Sequence, residues 1–185
     1  MRSDMRPYVV FFRNNIPLRQ LSVIMTSEGY ENIEIDFTSN SMVLDAEQHG
    51  RETATKLRHI LQTELDEDGF NIVRSKVRMV RLLKQNPLKN QCPSSRMRFL
   101  LFERALDKER IASVINWAED NPGLDVGFAL EGATVCLRGE SDRYSTSIQK
   151  IEEILNLPAL VVTRDTILRA IQIVGEHEKR LETSL

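Results

Sequence analysis

The chain has 185 residues, with 25 Lys+Arg against 27 Asp+Glu and a formal charge of −2 at pH 7. Those totals exclude a uniformly basic nucleic-acid coat and a long acidic tail. Apolar residues at 41% and charged residues at 28% are the proportions of a packed globular chain, long enough for one ordinary domain or two small ones.

The N-terminal residues are charged and lack an apolar core segment, and the longest early apolar run is Tyr8 to Phe12. Neither a secretory signal nor a membrane span is expected, and the reading is cytoplasmic. Cys92, beside Pro93, and Cys136, inside an apolar run, lie 44 residues apart and are expected as reduced thiols.

In chain order, Tyr8–Phe12 reads as a short buried strand. Pro17 opens a helix with Leu18, Leu21, Ile24 and Met25 on one face and a stop at Gly29. Alternation over 33–37 predicts a strand that buries Ile33, Ile35 and Phe37, and a turn at Thr38-Ser39-Asn40 leads to a partner strand at Met42–Leu44. A helix from about Gly50 to Asp68 carries the stripe Ala54, Leu57, Ile60, Leu61 and Leu65, with Gly69 placed as its C-cap, and Phe70–Val73 is a further strand.

The same order returns about 90 residues later. Phe99–Phe102 is a strand, and Asp107 caps a helix bearing Ile111, Val114, Ile115 and Ala118. Strands follow at Leu124–Phe128 and Thr134–Leu137, then a helix from about Ser141 to Leu155, then a strand at Ala159–Val162. The repeated β-α-β-β-α-β order predicts an α+β protein of two tandem ferredoxin-like plaits.

Each copy is followed by an additional helix. One starts at Ser75 and runs to Gln85, and the other starts at Asp165 with Ile167, Leu168, Ile171 and Val174 on its apolar face. The expected domains are 1–85, with an appended basic helix, and 96–185, with a C-terminal helix, joined by a polar, proline-containing linker over 86–95.

One charge feature stands out. Between Asp68 and Glu103 there is no acidic residue, while eight are basic: Arg74, Lys76, Arg78, Arg81, Lys84, Lys89, Arg96 and Arg98. The rest of the chain therefore carries −10. On a helix, Arg74, Arg78 and Arg81 fall at i, i+4 and i+7 and share a face, with Met79, Leu82 and Leu83 opposite. Guanidinium forks at that spacing suit phosphate oxygens. Arg74, Lys76, Arg78, Arg81 and Lys84 are thus the candidate nucleic-acid contacts. An acidic protein partner, plain solvation, and neutralisation within the chain fit the same residues.

Other chemistry finds little support. Tyr8, Phe11, Phe12, Phe99 and Phe102 could stack bases only if exposed on central strands, and they read as core. Asp45, Glu47 and His49 alternate before the second helix but lack the further ligands of a zinc site, with His59 ten residues on. Glu64-x-Asp66-x-Asp68 starts like a calcium loop but has Ser75 where a bidentate Glu belongs. His177, between Glu176 and Glu178, reads as a surface residue. Trp117 reads as a packing anchor. Neither a phosphate-binding glycine loop nor a nucleophile–base pair is apparent, so no cofactor or metal is expected. The expectation is a non-enzymatic binding or regulatory module that engages nucleic acid through the basic helix and linker. The alternative is a protein–protein assembly or adaptor protein, and small-molecule sensing by paired plaits is an analogy of fold alone.

Overall fold

The computed structural model describes residues 5–138 and 143–183. Among them are six α-helices and two four-stranded antiparallel sheets. The chain groups into two compact units, Met1–Met79 with Thr166–Leu185, and Val80–Asp165.

In unit 1, β1 (Arg6–Phe12), β2 (Glu31–Asp36), β3 (Ser41–Ala46) and β4 (Asn71–Arg74) form a sheet in the order β2-β3-β1-β4. Helices α1 (Leu18–Ser27) and α2 (Gly50–Glu64) cover one face. Period-two alternation sends Tyr8, Val10 and Phe12 to that face with Met42, Leu44, Ala46 and Val73, where they pack with Leu21, Met25, Leu57 and Leu61. Ile33 and Ile35 join them as expected. Phe37 does not: β2 ends at Asp36, and the ring beyond it is 60% exposed.

Opposite residues of an antiparallel pair share a face, so the other side of this sheet carries Val9, Phe11, Val43, Asp45 and Ile72, all buried. Helix α6 (Arg164–Thr183) lies on that side, fastened to β2 and β3 by the polar contacts described below. Its buried stripe is Ile167, Ala170, Val174 and His177, a helical spacing of 3, 4 and 3. Leu168, expected in the stripe, is partly exposed.

Two local expectations change. Helix α2 ends at Glu64 with Leu65 as its C-cap, so Gly69 caps nothing. Gly69 instead takes φ +74° where a Cβ would stand 3.0 Å from the Arg58 carbonyl oxygen, so only glycine fits this return toward β4. Arg74 closes β4, and α3 (Lys76–Lys84) begins after it. The three arginines therefore do not share one helical stripe.

In unit 2, β5 (Met97–Phe102), β6 (Leu124–Ala129), β7 (Gly132–Leu137) and β8 (Ala159–Val162) repeat the arrangement as β6-β7-β5-β8. Helices α4 (Lys108–Glu119) and α5 (Arg143–Leu155) supply one face. Asp107 caps α4 by accepting from the backbone N–H groups of Glu109 and Arg110. Leu100, Phe102, Val114, Ala133, Val135 and Ile151 form the core, with Trp117 packed against it. The expected start of α5 at Ser141 lies outside the described residues.

The second face of this sheet carries Met97, Phe99, Leu101, Thr134, Cys136 and Leu160, again buried. The chain from Val80 to Cys92 runs over it. Leu82 and Leu88 are buried, and Leu88 sits with Pro87 so close to Gly127 that a Cβ there would be 3.2 Å from the leucine and 3.1 Å from the proline. At Gly132 a Cβ would overlap the Leu100 carbonyl oxygen. The linker expected over 86–95 is thus packed in part, with Asn86, Leu88 and Cys92 buried.

Candidate functional site

The basic segment separates into differently placed groups. The Arg74 side chain folds back, with Nη1 donating to the Val73 carbonyl at 3.0 Å. Within unit 1, Lys76 Nζ meets Glu178 Oε2 of α6 at 2.6 Å, and Gly175 leaves room for the lysine: a Cβ there would stand 3.2 Å from Nζ. Within unit 2, Arg81 Nη1 meets Glu131 Oε1 at 3.1 Å, and the Glu131 side chain is only 8% exposed. Arg78 and Lys84 are exposed on α3. Lys76 and Arg81, of the five expected phosphate ligands, are therefore each partnered by a carboxylate of the chain itself. Such a pair must be broken and its acid left unpaired before the cation can serve a phosphate.

The aromatics expected as core are core. Tyr8, Phe11, Phe12, Phe99 and Phe102 on the central strands are all buried, so base stacking on either sheet would have to displace what covers it.

The strongest polar cluster lies where the sequence suggests only a loop and a surface helix end. Asp45 is in β3 and fully buried, whereas Glu47 and His49 are exposed, so the three do not form a set. Among the described residues no group of three or more acidic, histidine or cysteine side chains is arranged to hold a metal ion. Asp68, from the calcium-like run, accepts from Asn14 Nδ2 and from the Phe70 backbone N–H.

His177 is likewise buried. Its Nδ1 lies 3.0 Å from Asp45 Oδ1, and because a carboxylate only accepts, Nδ1 carries the proton. Asn32 Nδ2 donates to the other carboxylate oxygen at 2.6 Å. A register shift in β2 between Glu31 and Glu34, with Asn32 at φ +50°, accompanies this contact. His177 Nε2 stands 3.6 Å from Glu34 Oε2, which Arg180 Nη2 approaches at 3.5 Å. Nearer the start of α6, Arg169 Nε meets the buried Asp36 carboxylate at 3.0 Å, and that carboxylate also accepts from Ser39 Oγ and the Thr38 backbone N–H. Glu34, Asp36 and Asp45 thus line one sheet face, and Arg169, His177 and Arg180 of α6 meet them.

Sequence periodicity contained the signal for this cluster. His177 follows Val174 by three residues and Ile167 by ten, which places it on the apolar stripe of the helix. Asp45 alternates with Met42, Leu44 and Ala46, hence faces away from them. The imidazole has no exposed surface, so it fastens α6 rather than offering a base to a substrate.

Unit 2 has a disulfide in the corresponding place. Cys92 and Cys136 are bonded, with Cα atoms 6.1 Å apart, which corrects the expectation of two reduced thiols. Cys136 is opposite Met97 in the β5–β7 register, and Asp45 is opposite Pro7 in the β1–β3 register. Aligning the two sheets through Phe12 and Phe102, which pair with Asn71 and Ala159, makes Pro7 equivalent to Met97. Asp45 and Cys136 then occupy the same position.

Among the described residues, no helix is long and apolar enough to cross a membrane. No curated protein matches the sequence. Among solved structures, a conserved bacterial protein from Streptococcus pneumoniae is similar in fold, with a TM-score of 0.70 and 15% identity over 92% of this chain and 99% of that one. The family model described as "protein of unknown function (DUF1697)" matches residues 5–127, which take in all of β1–β5 and most of β6, and the chain belongs to that family.

Proposed function

We propose that the protein is a non-enzymatic binding module made of two ferredoxin-like plaits, and that it engages a protein partner rather than nucleic acid. The strand order β2-β3-β1-β4, repeated as β6-β7-β5-β8, supports the plait reading. The observation that carries the partner class is the exposed pair on unit 1. Phe37 is 60% exposed with the Arg19 guanidinium 5.4 Å from its ring centroid, and Val23, one turn further along α1, is 71% exposed. An aromatic ring and an arginine beside it are the side chains that dominate protein interfaces, and the branched aliphatic extends the apolar area.

The rival reading, phosphate binding by Arg74, Lys76, Arg78, Arg81 and Lys84, is weakened by the Lys76–Glu178 and Arg81–Glu131 pairs. It predicts binding that falls steeply with salt. Two experiments separate them. Affinity isolation with the wild-type chain and with Phe37→Asp should retain a stoichiometric protein partner only with the former. Fluorescence anisotropy against single-stranded and duplex RNA and DNA should show no salt-sensitive binding. Salt-sensitive binding abolished by Lys84→Ala, with no partner lost on Phe37→Asp, overturns the proposal.

A further inference from the structure

We infer that the Cys92–Cys136 disulfide is a reducible latch, a thiol–disulfide exchange site for a dithiol reductant. Its opening would release residues 85–93 from the second face of the unit 2 sheet.

The inference rests on how that segment is held. After α3 ends at Lys84, the chain to Pro93 has no helix or strand and is held within itself by turns, with the Gln91 and Cys92 N–H groups donating to the Leu88 carbonyl and the Leu88 N–H to Asn86 Oδ1, bonds that reach no further than the segment itself. Its side-chain anchors are few. Leu88 packs at Gly127, and Asn86 Nδ2 approaches Met97 Sδ at 2.9 Å, a contact to a weak acceptor. The disulfide is the covalent anchor, and it lies at the end of the segment. Both cysteines are buried, Cys136 at 1% within β7 and Cys92 at 7% on the covering stretch of chain, and Cys92 has exposed residues on either side of it, so movement of that stretch brings Cys92 Sγ to solvent first. Exchange depends on which sulfur an attacking thiolate can reach.

The step balances with a dithiol as co-reactant. One thiolate of the reductant attacks Cys92 Sγ, the Sγ–Sγ bond breaks, and Cys136 leaves as a thiolate that takes up a proton. The reductant's second thiol then attacks its own sulfur in the mixed disulfide and expels the Cys92 thiolate, which is protonated in turn. Two electrons and two protons pass to the protein, and the reductant leaves as its disulfide. Unit 1 cannot respond in this way, because Asp45 and His177 stand where the disulfide would be.

The test uses the full chain, oxidised and then treated with dithiothreitol without denaturant. Thiol alkylation followed by intact mass should report two modified cysteines after reduction and none before. Tryptic cleavage at the exposed Lys84, Lys89 and Arg96 should accelerate by about tenfold or more, since cleavage follows the population of the opened segment. Cleavage in unit 1 should be unchanged, and reoxidation should restore resistance. A disulfide that resists the dithiol until the protein is denatured overturns the inference. So do reduction that leaves cleavage of the segment unchanged, and a native protein in which both thiols are already free. Amide hydrogen exchange over 85–93 serves as a second readout. Protection there should be lost on reduction, and protection that persists overturns the inference as well.

Discussion

The two units solve one problem by different chemistry. Each four-stranded antiparallel sheet has helices on one face, and each buries its other face under a segment from outside its four strands. In unit 1 the cover is α6, and in unit 2 it is the chain from Val80 to Cys92. At equivalent register positions of β3 and β7 stand Asp45 and Cys136, each tied to its cover, one by hydrogen bond and charge, the other covalently. The difference extends to the edge strand. β2 is bulged where Asn32 reaches Asp45, whereas β6 pairs regularly, and its Asp125, opposite Cys136, serves Arg138 instead. The non-covalent fastening draws on side chains from β2, β3 and α6, whereas the covalent one needs only the two cysteines.

That contrast can be tested from the largest effect to the smallest. Cys136→Ser removes a cross-link between residues 44 apart, and the chain-entropy relation puts the loss for unit 2 at about 4 kcal/mol. Chemical denaturation followed by Trp117 fluorescence should register it. His177→Ala takes the imidazole N–H from the Asp45 carboxylate and leaves that buried charge to Asn32 Nδ2, at a cost to unit 1 of about 3 kcal/mol. The double variant Asp45→Leu with His177→Leu should recover much of that loss, since apolar replacement of a buried pair is often close to neutral.

Gly132→Ala sharpens the comparison from the packing side. Its Cβ would overlap the Leu100 carbonyl oxygen, and overpacking of that kind costs about 1–3 kcal/mol. The corresponding place in unit 1 holds Ser41, whose side chain is accommodated there and buried. Asp107→Ala, which removes the cap of α4, should cost about 1 kcal/mol and spare unit 1.

The smallest effect concerns pH. Burial raises the Tyr30 hydroxyl above its usual 10.0, with the nearby Lys56 ammonium pulling the other way. A group whose folded value is raised contributes stability that is fully present below its unfolded pKa and is lost as pH rises through the folded one. Ultraviolet titration should therefore show Tyr30 ionising late, in step with loss of unit 1 structure.

The element order was legible because the periods were strong. Strands at Tyr8–Phe12 and Phe99–Phe102 follow from short apolar runs, and helices with stripes such as Leu57, Ile60 and Leu61 follow from helical spacing. What covers the second face of each sheet was not. The run Glu176-His177-Glu178 looks polar by composition, and only the count back to Val174 and Ile167 puts the histidine inward. Asp45 faces away from Met42 and Leu44, and sequence alone does not say whether that side meets water or a helix. Cys92 and Cys136 carry no spacing signal, because the path of residues 80–92 over β5 and β7 is a matter of tertiary packing. In the basic segment the regular spacing did not reveal the placement, since Arg74 ends a strand and Lys76 and Arg81 meet carboxylates more than 40 residues away in sequence.

Residue-resolved hydrogen exchange on the oxidised chain, the reduced chain and the His177→Ala variant tests most directly whether the two covers are fastened independently. Reduction should deprotect residues 85–93 and β5 while leaving α6 as it was, and His177→Ala should deprotect α6 while leaving residues 85–93 as they were. A uniform loss of protection across both units on either treatment would contradict that independence.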